Sequence, residues 1–156
     1  MKPAALAAAL VALTCASALA QSFSELALDG RPERFQRLVA GAKKEGTLTL
    51  YTSIPEKDMA VLTADFERRH GVKVNVWRAS SVKVLQRAAA EARANRWDFD
   101  AAAISSPEME AMHRELLLQE VRSRHHADLA PEAMPSHRAW VPQFLNVFVQ
   151  AYNTSS

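Results

Sequence analysis

Glycine and cysteine are scarce in this chain, with four glycines and one cysteine among 156 residues. A single thiol excludes an internal disulfide framework. So few glycines, with no G-x-G-x-x-G and no G-K-[ST] run, disfavour dinucleotide and Walker-type phosphate loops. No G-x-S-x-G elbow marks a hydrolase nucleophile. Excess charge is lacking too: 19 Lys and Arg against 17 Asp and Glu leave a formal +2, with the signs interspersed. That is a weak field, not the basic footprint of a nucleic-acid partner. No apolar run makes a good membrane span of ~20 residues. What is present is an ordinary globular composition, 49% hydrophobic and 23% charged, which excludes a disordered chain.

Residues 1–20 follow the order of a secretory signal peptide. Lys2 is their only charge, an apolar run covers residues 3–13, and Ala18-Leu19-Ala20 forms a small-residue cleavage site before Gln21. An uncleaved anchor or a buried helix is the alternative; the ordered match to all three signal regions favours export. Ala12-Leu13-Thr14 is a poor lipidation context for Cys15. Cleavage after Ala20 removes Lys2 and Cys15, lowering the formal charge to +1 and leaving residues 21–156 without a thiol. A cysteine-free exported protein needs no oxidative folding, which suits a bacterial periplasm. The expected location is therefore periplasmic.

The mature chain alternates between helical and strand patterns. After a short lead over residues 21–29, Phe35, Leu38, Val39 and Ala42 share one helix face, Lys43 and Lys44 suit its last turn, and Gly46 stops it. Residues 47–51 read as a strand. A second helix starts at Pro55 and Glu56, presents Met59, Leu62, Thr63 and Phe66, and stops at Gly71. Val72, Val74 and Val76 alternate with Lys73, Asn75 and Trp77, as in a half-buried strand. A third helix over residues 81–96 buries Val84, Leu85, Ala88, Ala89 and Ala92, with Arg87 and Glu91 as an i,i+4 pair on its wet side. Residues 99–104 form an apolar run expected of a central parallel strand. Ser106-Pro107-Glu108 opens a fourth helix with Met109, Met112, His113 and Leu116 as its stripe. Residues 122–138 read as a loop with short helical pieces. Residues 140–153 return to strand character, Val147, Val149 and Ala151 alternating with Phe148, Gln150 and Tyr152. The order β-α-β-α-β-α predicts right-handed crossovers and a mostly parallel sheet flanked by helices, an α/β fold.

Ligands of open α/β sheets bind beyond the carboxyl ends of the strands. That rule selects three loops: Thr52-Ser53-Ile54-Pro55, Arg78-Ala79-Ser80-Ser81 and Ser105-Ser106-Pro107. Each carries hydroxyls and opens a helix, whose free N–H groups favour anions. Arg78 adds a planar fork suited to carboxylate or phosphate. Serine also caps helices whatever a protein does, so each loop alone reads as capping. The convergence of three at one sheet edge makes Ser53, Arg78, Ser80, Ser81 and Ser105 the candidate substrate-binding residues. His113, His125, His126 and His137 match no zinc or H-E-x-x-H spacing and read as polar histidines of a solvated loop. Asp98 and Asp100 fall at the opposite edge, in solvated or capping roles. Arg68 and Arg69 read as a solvated helix end, and Trp77, Trp97 and Trp140 as core or rim packing. The pattern offers no catalytic set, so an enzyme is not expected.

Several stretches resemble the periplasmic solute-binding proteins of ABC transporters, in particular the ferric-iron-binding type of the extracellular solute-binding family. They are Gly46-Thr47-Leu48-Thr49-Leu50-Tyr51-Thr52-Ser53, Phe66-Glu67-Arg68-Arg69-His70-Gly71-Val72-Lys73-Val74, and Arg78-Ala79-Ser80-Ser81 followed by Val84-Leu85-Gln86-Arg87. Further on come Trp97-Asp98-Phe99-Asp100, Glu115-Leu116-Leu117-Leu118 and Val149-Gln150-Ala151-Tyr152-Asn153-Thr154. The resemblance implies a periplasmic-binding-protein-like (type II) lobe that captures a small-molecule or metal solute, an anion or Fe(III) with an accompanying anion, for a permease in the inner membrane. It implies that residues 21–156 are the amino-terminal lobe, that residues 144–153 are the first crossover strand, and that the second lobe is absent. Two departures stand out. Ser53-Ile54-Pro55-Glu56 has no histidine where iron-binding members often carry a histidine or acidic ligand, and Glu115 stands where the family usually has glycine. A flavodoxin-like redox protein, with Thr52 and Ser53 at a phosphate, and a nonfunctional gene remnant are the competing readings.

Overall fold

The computed structural model describes residues 26–146 and 149–152. The expected signal over residues 1–20 lies outside them. The described chain forms α1 (Arg34–Glu45), β1 (Thr47–Thr52), α2 (Glu56–His70), β2 (Lys73–Arg78), α3 (Ser81–Arg93), β3 (Ala101–Ala103) and α4 (Ser106–Arg114). Two 3₁₀ turns, Arg124–Asp128 and Pro131–Ala133, follow.

The strands form one parallel sheet in the order β2-β1-β3. Register pairs Thr47 with Lys73 through to Thr52 with Arg78 on one side, and Leu50 with Ala101 through to Thr52 with Ala103 on the other. The crossovers from β1 to β2 and from β2 to β3 run in opposite directions. With the same hand, they place α2 and α3 on opposite faces of the sheet. α2 packs on β2, while α3 packs on β1 and on α4. The core lies between β1, α3 and α4, where Tyr51, Thr52, Val84, Ala88 and Met112 are fully enclosed.

Four expectations need correction. First, residues 99–104 are not a central strand. β3 spans only Ala101–Ala103 and is an outer strand, because the second crossover passes over β1 and leaves β1 in the middle. Before β3 the ladder continues through a side chain: Asp100 Oδ2 accepts the Thr49 N–H at 2.7 Å, and the Asp100 N–H donates to Thr49 O at 2.9 Å. Second, Glu91 is not on a wet face but 3% exposed. Val84, Ala88 and Glu91 fall at i, i+4 and i+7, so helical geometry carries the carboxylate inward with the stripe. Third, residues 140–146 and 149–152 form no strand, and Val147, Phe148 and Asn153 lie outside the described residues. Alternation needs a neighbouring strand to pair with; here Leu145 and Val149 are 76% and 82% exposed. Fourth, α1 and α2 bury less than their stripes imply. Phe35 and Leu38 of α1 and Leu62 of α2 are exposed, and only Met59 of the α2 stripe is buried, since α2 covers an outer strand.

α1 is held by its first residue instead. The Arg34 guanidinium donates to the carbonyls of Leu26, Ala27 and Arg122, and the Arg122 N–H returns a bond to Ala27 O at 2.9 Å. The Arg124 guanidinium then covers the Phe35 ring at 4.4 Å.

Candidate functional site

Parallel strands deliver all three hydroxyl-bearing loops to one edge of the sheet. Thr52, Arg78 and Ala103 end their strands in register. The loop after β1 is fixed by Thr52, a residue absent from the sequence-derived candidates. Its buried hydroxyl donates to Ala103 O at 2.9 Å and accepts the Ile54 N–H at 3.1 Å. The same carbonyl takes the Ser53 N–H at 3.1 Å. The signal was available: a threonine at the last strand position can bond its own turn two residues on.

Beneath this loop, β1 is clamped by an aromatic and ionic cluster. The Tyr51 hydroxyl donates to Glu91 Oε1 at 2.8 Å, and Arg87 Nε donates to the same oxygen at 2.6 Å. The Arg87 guanidinium lies 4.7 Å from the Tyr51 ring centre and 4.3 Å from that of Trp77. Phe99 stacks on Tyr51 at 4.9 Å. Burial, followed by the bond to Glu91, pushes the Tyr51 phenol up to about 12. Glu91 holds the Arg87 guanidinium above its ordinary value. Glu91 Oε2 is buried without a hydrogen-bond partner among the described residues.

The candidate residues divide by what they touch. Ser81 and Ser105 meet directly, Oγ to Oγ at 3.0 Å, and the Ser105 N–H donates to Ser81 Oγ at 3.2 Å. This bridge ties the amino ends of α3 and α4 together. Arg78 is exposed and leans over the first loop, its Nε donating to Ile54 O at 3.4 Å. Ser53 joins through its backbone and sits half-buried. Ser80 caps α3 by accepting the Lys83 N–H at 3.4 Å, so its hydroxyl is engaged in the role serine plays at any helix start.

The three helix openings differ in charge. α2 carries Glu56 and Asp58 in its first turn and α4 carries Glu108. α3 carries no acidic residue there. Its amino end, preceded by Arg78, is the one of the three whose partial positive charge is not already offset.

The edge opens onto a broad concavity of about 1320 Å³. Ser53, Ile54, Ser105 and Ser106 line it at the sheet edge, with Trp97, Phe99, residues 116–119 and residues 139–146 as mostly apolar walls and Asp100 and Glu108 as acidic lining. Of the core or rim alternatives, Trp97 takes the rim, 60% exposed on this wall. Two histidines depart from the solvated-loop reading. His113 belongs to α4, and His137 stacks on it with ring centres 3.6 Å apart. Among the described residues, no group of three or more His, Cys, Asp or Glu is placed to hold a metal ion. No described helix is long and apolar enough to cross a membrane.

No protein-family model and no curated protein matches the chain. Among solved structures, the chain is similar to Trichodesmium IdiA (FutA) in complex with iron and citrate ligands, at 23% identity and a TM-score of 0.54. The likeness covers 62% of this chain and 30% of that one. The fold is periplasmic-binding-protein-like. It comprises a small parallel sheet flanked by helices, with the hydroxyl loops at the edge where such sheets take their ligands.

Proposed function

We propose that this chain is a solute-binding lobe serving an ABC-type importer. Its solute is an anion, or ferric iron carried with an anion, taken at the carboxyl edge of the sheet. The observation that supports this reading is the amino end of α3. It has no acidic residue of its own, Arg78 precedes it, and Ser81 bridges it to Ser105 at 3.0 Å. Arg78 supplies the charge and fork for a carboxylate and Ser81 and Ser105 supply hydroxyls; Ser53 and Ser105 also line the concavity, whereas Arg78, Ser80 and Ser81 stand outside it. The similar structure holds iron and citrate, a metal with a polycarboxylate, which is the chemistry such an edge suits. The chain's own residues offer donors for the anion and no metal-binding cluster among those described, so iron is proposed to enter as a complex rather than as a bare ion. Export by residues 1–20, a periplasmic location and delivery to an inner-membrane permease complete the proposal. The role is capture rather than catalysis.

Calorimetry of the chain with citrate, ferric citrate and inorganic phosphate tests it. Citrate or ferric citrate is expected to bind. Arg78→Ala is expected to weaken binding about tenfold or more, the worth of a charge-assisted hydrogen bond. Equal affinity in Arg78→Ala, or no heat with any of the three anions, overturns the reading.

A further inference from the structure

The Arg87 guanidinium lies where β1, β2 and α3 meet. Tyr51 and Trp77 are register partners on the two strands, their ring centres 4.9 Å apart and their planes inclined by 55°. One cation covers both rings, 4.3 Å from the Trp77 centre and 4.7 Å from that of Tyr51. The negative faces of the rings attract it. Its direction is set from the helix: Nε donates to Glu91 Oε1 at 2.6 Å, on the oxygen that also takes the Tyr51 hydroxyl. Glu91 stands four residues on, one turn along α3, so the pair moves with that helix.

These two rings are the last pair before the ligand edge. Thr52 and Arg78 follow them and end their strands opposite each other. The Ala79 N–H then returns to Thr52 O at 3.0 Å, and Arg78 Nε reaches Ile54 O at 3.4 Å. β2 is an outer strand, and its last turn must be placed against α3, which Ser81 opens. Arg87 makes that connection, from the helix to the residue before Arg78. A lysine could pair with Glu91, but its ammonium is a point charge without a plane to lay over two rings.

Resting on the proposed anion site, we infer that Arg87 is a positioning residue for it: its guanidinium holds the end of β2, and with it Arg78, against the amino end of α3. Amide exchange by NMR on the full chain without ligand tests the placement. In Arg87→Lys the protection of Ala79, relative to that of buried Met112, is expected to fall about fivefold, the worth of a cation over an aromatic face. Tyr51→Phe keeps both rings under the cation and loses only the bond to Glu91. It is expected to lower the two amides together, as a general loss of stability does, and to leave their ratio level. Should Arg87→Lys fail to fold, Trp77→Leu, which takes the outer strand's ring from under the cation, must lower the ratio likewise. Calorimetry tests the consequence: Arg87→Lys is expected to weaken citrate about fivefold in the native background and little in Arg78→Ala, because it acts through Arg78. A level ratio in Arg87→Lys, an equal fall in Tyr51→Phe, or a citrate loss as large without Arg78 as with it overturns the positioning role. No citrate binding by the native chain overturns the solute reading instead, and the exchange ratio still decides whether Arg87 places the end of β2.

Discussion

At the scale of single residues, Tyr51 meets four partners at once, Glu91, Arg87, Trp77 and Phe99. It is 1% exposed, spans the gap between β1 and α3, and gives its hydroxyl hydrogen to a buried carboxylate. Hydrogen bonds to charged groups contribute about 1.5–3 kcal/mol. Tyr51→Phe keeps the stacking on Phe99 and the tilted contact with Trp77 but removes that bond, and is expected to lower unfolding stability by about that amount in urea titrations. A loss under ~0.5 kcal/mol would show that water replaces the phenol. The same group makes the fold sensitive to alkali. Its folded value, about 12, lies above the ordinary 10.0. The stabilisation is therefore complete below pH ~10 and disappears as pH rises toward ~12. Tyr51→Phe should flatten that alkaline slope.

At the scale of elements, all four helices close on a residue with positive φ: Gly46, Gly71, Asn95 and Leu116. Two are glycines that the sequence displays as stops. Asn95 and Leu116 are not legible in that way. After α3, the N–H groups of Asn95 and Arg96 donate to Ala92 O and Glu91 O; after α4, those of Leu116 and Leu117 donate to His113 O and Met112 O. Both sets are Schellman closures, in which glycine is preferred at the left-handed position. Leu116 takes φ 58° and is 83% exposed, so it bears the left-handed strain and buries little in return. Leu116→Gly is expected to raise stability by about 0.5–1 kcal/mol, read as a higher urea midpoint; a lower midpoint would refute it. The glycine usual in the resembled family falls one position earlier, at Glu115, where φ is an ordinary −83°. Element identity was legible because helix faces and glycine stops are local. The inward turn of Glu91, the shortness of β3 and the lack of a strand over residues 140–146 and 149–152 were not, because each depends on what lies across the sheet. For the site, the loops were legible from the carboxyl-edge rule and the turn bond of Thr52 from its place at the strand end, whereas the Ser81–Ser105 bridge required the register.

At the scale of the whole molecule, most ion pairs lie on the surface, and three carboxyls are held down by hydrogen bonds from their neighbours. Hydrogen bonds from Arg31 hold Asp29 far below the carboxylate range; those from Arg68 and Arg69 lower Asp65; those from His137 and Trp140 lower Glu110. Depressed carboxyls stabilise the fold above their ordinary values, near pH ~4, and the contribution is lost as pH falls through the folded ones. The urea midpoint should therefore drop between about pH 5 and pH 3, and less steeply in high salt, since the arginine partners of Asp29 and Asp65 are exposed. A midpoint unchanged over that interval would contradict this. The order β2-β1-β3 also has a kinetic side. Thr47 meets Lys73 after one crossover, whereas Leu50 must wait for Ala101 and for a second crossover. Closing the longer loop costs more chain entropy before any contact rewards it. The β1–β2 half is therefore expected to assemble first and to serve as the template on which β3 pairs and Ser105 is brought to Ser81.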